Sequence, residues 1–163
     1  MVAIVAAVTA ILSAGIAGLV FKESRRTQVA SDKANRRDLF LALHERLSHR
    51  DQQRGRTILR EMVSSTGDAK EMRGRDRDSY DLMMSSIAML DILGLYVEKD
   101  YIDKDVVFDE WGWLYARAFE HGQHVLNERA MYDESRKSPW PHFRALGEEA
   151  ISKHPATPSQ PGG

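Results

Sequence analysis

Residues Val2 to Phe21 run for twenty positions without a charge, and Lys22, Arg25 and Arg26 follow at once. A helix of that length covers about 30 Å, the thickness of a bilayer's hydrocarbon core. Ten of the twenty residues are Val, Ile, Leu or Phe and six are alanine; Thr9, Ser13, Gly15 and Gly18 are small. A soluble helix rarely lacks a polar face over such a length. The run is therefore expected to be a transmembrane helix over residues 1–21.

The distribution of charge orients it. Nothing basic precedes the run, whereas a cleaved signal peptide carries a positive n-region. The small residues Gly15-Ile16-Ala17 are the one feature that favours cleavage. Lys22, Arg25, Arg26, Lys33, Arg36 and Arg37 all lie after the run, against Glu23 and Asp32 alone. Basic flanks stay in the cytoplasm. This places the N-terminus outside and the rest of the chain on the cytoplasmic side of the inner membrane. The absence of cysteine suits a reducing compartment.

Within the run, Ala6, Ala10, Ala14 and Gly18 recur every four residues on one helix face. Small residues at that spacing let two membrane helices approach closely. A homo-oligomer through this face is one expectation, although so many alanines also produce the spacing by chance.

The net charge of −1 hides an asymmetry. Residues 22–60 have a balance of +6, and residues 61–163 a balance of −7. Lys22, Arg25 and Arg26 sit where each basic group gains about 1 kcal/mol from anionic lipid headgroups. Residues 22–38, polar on all sides, read as a basic juxtamembrane stalk. Nucleic acid is an unlikely partner, since the basic stretch is interleaved with acids and has Phe40 as its one aromatic.

From Leu39 the pattern becomes amphipathic. Leu39, Phe40, Leu43 and Leu47 keep helical spacing, and Ile58, Leu59, Met62 and Val63 suggest a second helix ending near Thr66-Gly67. The stretch DAKEMRGRDRD (68–78) reads as an exposed, charged loop. Tyr80, Met83, Met84, Ile87, Ala88, Leu90 and Leu95 predict a helix over 79–97. After the turn 98–102, Asp103 is a suitable N-cap and Asp105 suits the helix dipole. The next helix reaches about Tyr132 and buries Phe108, Trp111, Tyr115, Phe119 and Leu126. If the pair folds back on itself, Leu90 meets Trp111 and Ile87 meets Leu114, with Gly112 and Ala116 as a notch. Ser138-Pro139 is expected to open a last helix bearing Trp140, Phe143, Leu146 and Ile151. The tail 154–163 is disordered by composition. The fold class is thus all-α: one transmembrane helix, then a cytosolic bundle of four or five helices over 39–153.

The membrane helix, the basic flank and the segment LDILGLYVEKDYIDKDVVFDEWGWLYARAF together resemble a bacterial family of small membrane-anchored helical proteins without an established activity. The resemblance covers residues 1–130. That family usually carries a glycine in the turn before an apolar-Asp pair; here Asp100 stands there, followed by Tyr101, Ile102 and Asp103. Asp tolerates left-handed backbone better than most residues. The resemblance implies fold and topology and transfers no site residue.

Candidate chemistry is sparse. His121 and His124 are three apart, with Glu120 adjacent and Asp91 placed to face them, but di-metal bundles use a Glu-x-x-His pair on each of two helices. His44 and His49 are five apart, the wrong spacing for shared ligation. The acids Asp100, Asp103, Asp105, Asp109 and Glu110 fail the calcium-loop pattern, because Asp105 stands where its glycine belongs and Trp111 where its glutamate belongs. Ser64, Ser65, Ser85 and Ser86 lack a nucleophile elbow. No catalytic, cofactor or metal residue is assigned, and a membrane-tethered enzyme is the least favoured reading. Trp113 is different. It lies roughly 200° round the helix from Trp111, so both cannot face one core. Tryptophan is enriched at interface hot spots, which makes Trp113 a candidate for binding a cytosolic protein partner. The expected function is a membrane-anchored interaction or assembly module; the alternative is an oligomerising effector that perturbs the bilayer.

Overall fold

The computed structural model describes residues 33–131 and 139–155. The expected membrane helix, residues 22–32 of the stalk, Ser138 and residues 156–163 of the tail lie outside the described residues. The chain divides into two compact units, Met1–Phe40 and Leu41–Gly163. In the first, residues 33–40 are helical. The second is an all-α bundle with no strand among its described residues. Its helices are α1 (residues 41–48), α2 (Arg50–Met62), α3 (Thr66–Arg75), α4 (Arg77–Glu98), α5 (Lys104–Ala130) and α6 (Pro141–Lys153).

Short polar side chains start most of these helices. His49 Nδ1 accepts from the Asp51 N–H at the head of α2, Asp76 Oδ1 from Ser79 N–H at α4, and Asp103 Oδ1 from Asp105 N–H at α5. The expected N-cap role of Asp103 is therefore present. At α3, Ser65 Oγ accepts from Asp68 N–H at 3.2 Å, while Asp68 Oδ2 accepts from Ser64 N–H at 2.9 Å. This is a variant of the reciprocal capping box. The bonds that the carboxylate accepts, from the Ser64 N–H foremost and then from the Ser64 hydroxyl, hold the Asp68 carboxyl below its ordinary range.

α3 corrects the expected loop over 68–78. Its sequence, TGDAKEMRGR, shows little hydrophobic pattern, but Ala69 and Met72 lie three apart and both are buried. Two inward residues and a cap suffice for ten residues held between α4 and α5.

α4 is the one described helix long and apolar enough to cross a membrane by length and composition, and half of that stretch is buried inside the bundle. It is the bundle's central element: Tyr80, Met83, Ile87, Leu90 and Leu93 are buried, and α2 and α6 pack along it. The turn after α4 is a Schellman motif. The Tyr101 N–H donates to Tyr96 O and the Asp100 N–H to Val97 O, at 2.9 and 3.1 Å. Asp100 takes the left-handed position with φ of 55°, and the Tyr96 and Tyr101 rings make the accompanying contact at 5.9 Å.

The α4/α5 pair does not close as a simple hairpin, because α6 packs against both helices. The Tyr115 hydroxyl donates to the Leu90 carbonyl, while Trp111 lies beside His44 of α1 with ring centroids 6.0 Å apart. Phe143 of α6 is fully buried against Tyr115 and Phe119, at 5.7 and 5.5 Å between ring centroids. The expected notch at Gly112 receives His154, at the end of α6, rather than α4. Close backbone approach falls elsewhere: a Cβ at Gly55 of α2 would strike the Leu82 carbonyl oxygen of α4, and one at Gly94 would stand 2.8 Å from the His142 carbonyl oxygen.

The last helix begins later than expected. Pro141, not Pro139, occupies its first turn, and Trp140 before it has φ of 49° and contributes no side-chain cap. Asp91 of α4 replaces that cap: its Oδ1 accepts from the His142 and Phe143 N–H groups. Gly147 and Ala150 are buried on α6, whereas Ile151, expected inside, is exposed.

Candidate functional site

α5 presents two faces. Phe108, Trp111, Tyr115, Phe119 and Leu126 are buried as their spacing requires. Trp111 is 5% exposed and Trp113 is 61% exposed, so the two indoles point to opposite sides. A tryptophan held out on a long, internally packed helix keeps its position without a loop's ordering cost.

Trp113 forms the ridge between two clefts. The first, about 370 Å³, lies between α5 and the end of α6 and is lined by Ala116, Arg117, Glu120, Ile151 and His154. His154 reaches it because Gly112 has no side chain to obstruct the ring. The second, about 230 Å³, lies between α2 and α5. Arg56, Thr57 and Arg60 of α2 and Arg117 of α5 line it, together with Trp113. Trp113 and Arg117 belong to both clefts.

The second cleft is cationic. No carboxylate lines it. Arg56 Nη2 donates to the Leu47 carbonyl at 2.8 Å, but Arg56 Nη1 is buried without a hydrogen-bond partner. Burial pulls the Arg56 pKa down from its ordinary value, yet a guanidinium remains charged at any physiological pH. Arg60 pairs with the neighbouring Glu61 at 3.2 Å with both side chains more than half exposed, an arrangement worth little.

The other sequence candidates have structural occupations. Asp91 caps α6, and His121 Nδ1 lies 2.8 Å from the Val63 carbonyl. Among the described residues no three His, Asp or Glu side chains are grouped to hold a metal ion. His44 stands 3.6 Å from Glu110. Ser85 accepts from Gln52, and Ser86 donates to the Met83 carbonyl. Ala6, Ala10, Ala14, Gly18, Lys22, Arg25 and Arg26 lie outside the described residues. The sequence reading missed the arginines of the second cleft. Gln53, Arg56, Thr57 and Arg60 share one face of α2 at helical spacing, but nothing local indicated that this face meets Arg117.

One further buried charge lies away from the ridge. Glu128 of α5 is fully buried, with Arg73 Nη1 at 3.0 Å and the Tyr80 hydroxyl donating at 3.2 Å. It joins α3, α4 and α5 and faces no cleft described above. The ridge is built for contact: a rigid indole, donors without acceptors and two concavities. Comparison of the chain with protein-family models, with curated proteins and with solved structures finds no match.

Proposed function

We propose that this chain is a single-pass inner-membrane protein, N-terminus outside, whose helical domain serves in the cytoplasm as an interaction module. The uncharged run Val2–Phe21 and its basic flank support the anchor and its orientation. The observation that carries the module is Trp113, exposed between two clefts while its neighbour Trp111 is core. An aromatic anchor beside pockets is the anatomy of an interface hot spot.

Topology is tested by reporters fused after Gly163: a cytoplasmic reporter is expected to be active and a periplasmic phosphatase inactive, and the reverse result rejects the orientation. The module is tested by in-cell crosslinking of the full chain. Trp113→Ala is expected to remove crosslinked products while leaving membrane level and helical content unchanged. Products that survive Trp113→Ala reject the ridge as the contact.

Self-association is the second reading, and the four-residue repeat Ala6, Ala10, Ala14, Gly18 favours it. In a membrane self-association assay, Gly18→Ile should weaken the signal and Leu19→Ile should not. Equal signals from the two variants reject pairing through that face.

A further inference from the structure

The cationic cleft specifies the partner's chemistry more narrowly than an exposed tryptophan does. Arg56 and Arg60, from the basic stretch 22–60, and Arg117, from the acidic remainder of the chain, converge on one groove that no carboxylate lines. The Arg117 side chain has no hydrogen bond or ion pair among the described residues. Arg56 keeps one buried donor without an acceptor. A guanidinium fork matches a carboxylate bidentately, and a buried donor left unmatched is costly. The groove therefore favours an arriving acceptor that bears negative charge.

The adjoining cleft differs in kind. Ala116 and Ile151 give it an apolar wall beside Arg117, Glu120 and His154, and it is reached from the arginine groove by crossing Trp113. A ligand that fills both places an anionic group among the arginines and an apolar group beyond the indole. Extended polypeptide, rising about 3.3 Å per residue with alternating side chains, delivers both from positions a few residues apart. A flat lipid surface leaves two concave clefts unfilled.

We infer that the Trp113 ridge binds an extended acidic segment of a partner protein, its Asp or Glu carboxylate between Arg56, Arg60 and Arg117 and a nearby apolar side chain in the Ala116–Ile151 cleft. The inference rests on the interaction-module reading and names the partner's chemistry.

The test probes an array of short randomised synthetic peptides with the full chain in mild detergent, beside immobilised phosphatidylserine. Wild type is compared with Trp113→Ala and with the double variant Arg60→Ser/Arg117→Ser, each checked for unchanged helical content. Wild type should select peptides with Asp or Glu within a few residues of an apolar side chain, and added salt should weaken their binding. The double variant should bind those peptides about tenfold more weakly, the scale of one lost charge-assisted hydrogen bond. Selection of neutral or basic peptides, an acidic selection unchanged in the double variant, or capture by phosphatidylserine alone each overturns the inference. If Trp113→Ala abolishes selection while the double variant does not, the docking reading stands and the acidic partner falls. If Trp113→Ala binds the acidic peptides as wild type does while the double variant does not, the carboxylate groove stands and Trp113 is not its anchor.

Discussion

The Asp91 Oδ1 oxygen lies 2.9 Å from the Phe143 backbone nitrogen, and it also accepts from the His142 N–H at 3.0 Å. A carboxylate in the middle of α4 thus satisfies both free amide donors in the first turn of α6, where Pro141 has none to offer. His142 Nδ1 meets Glu98 at 2.7 Å two helical turns further along α4, and Gly94 between the two acids lets the backbone of α6 come close. The Phe143 ring then enters the core between Tyr115 and Phe119. Removing the carboxylate should cost about as much as removing a helix N-cap, 0.5–2 kcal/mol. Asp91→Ala is expected to lower the unfolding free energy read from urea denaturation by that amount and to speed amide exchange in α6 before the other helices. Uniform exchange across all helices would mean that α6 does not depend on this cap.

Trp111 and Trp113 should respond oppositely to truncation. Trp111→Ala removes a buried indole from beside His44 and is expected to cost about 3–5 kcal/mol. Trp113→Ala, on the surface, should change stability by less than about 0.5 kcal/mol. Thermal melts of the two variants check this. A larger loss from Trp113→Ala would show that the ridge is part of the core.

Glu128 is worth a different measurement because its partners differ in exposure. Arg73 is 37% exposed and can return to water, whereas Tyr80 is buried and loses its acceptor. Glu128→Leu should therefore cost about 1–3 kcal/mol, the cost of a buried hydroxyl left unmatched. Adding Tyr80→Phe should recover part of that loss, because partners in contact are not additive. Urea denaturation of the four species of the cycle reads the coupling; strict additivity would remove the network from the account of stability.

Alkaline pH should loosen the core through its tyrosines. Burial pushes the Tyr115 phenol well above its ordinary value, and burial followed by the nearby Glu128 charge raises Tyr80. Unfolded tyrosine ionises near pH 10, so above that pH the folded state binds more protons than the unfolded one. The stabilisation is complete below about pH 10 and is lost as pH rises above it. Denaturation midpoints should fall more steeply above that point in wild type than in Tyr115→Phe. Equal slopes would show that Tyr115 titrates as if exposed.

The turn after α4 offers a stabilising change. Asp100 holds φ of 55°, where a side chain costs about 1–2 kcal/mol and less for Asp than for most residues. Asp100→Gly is expected to raise stability by several tenths of a kcal/mol, and Asp100→Val to lower it, as read from melting temperatures. A lower melting temperature for Asp100→Gly would mean that the Asp side chain contributes more than the backbone costs.

Period and punctuation alone determined the all-helical class, the extent of α4 and α5, the N-cap at Asp103 and the opposite facing of Trp111 and Trp113. These are local properties: side chains 3.6 residues apart share a face, and a short polar residue ahead of an apolar stripe captures free amide donors. Tertiary contacts decided the rest. α3 has too few apolar residues to be periodic, and is a helix because Ala69 and Met72 find room between α4 and α5. α6 starts at Pro141 because a cap arrives from Asp91, far away in sequence. The α4/α5 hairpin opens because Phe143, carried by α6, brings its ring to Tyr115 and Phe119. The cationic cleft exists only where a polar face of α2 meets Arg117 of α5, and the charge of a groove is a property of its facing walls that neither helix carries alone.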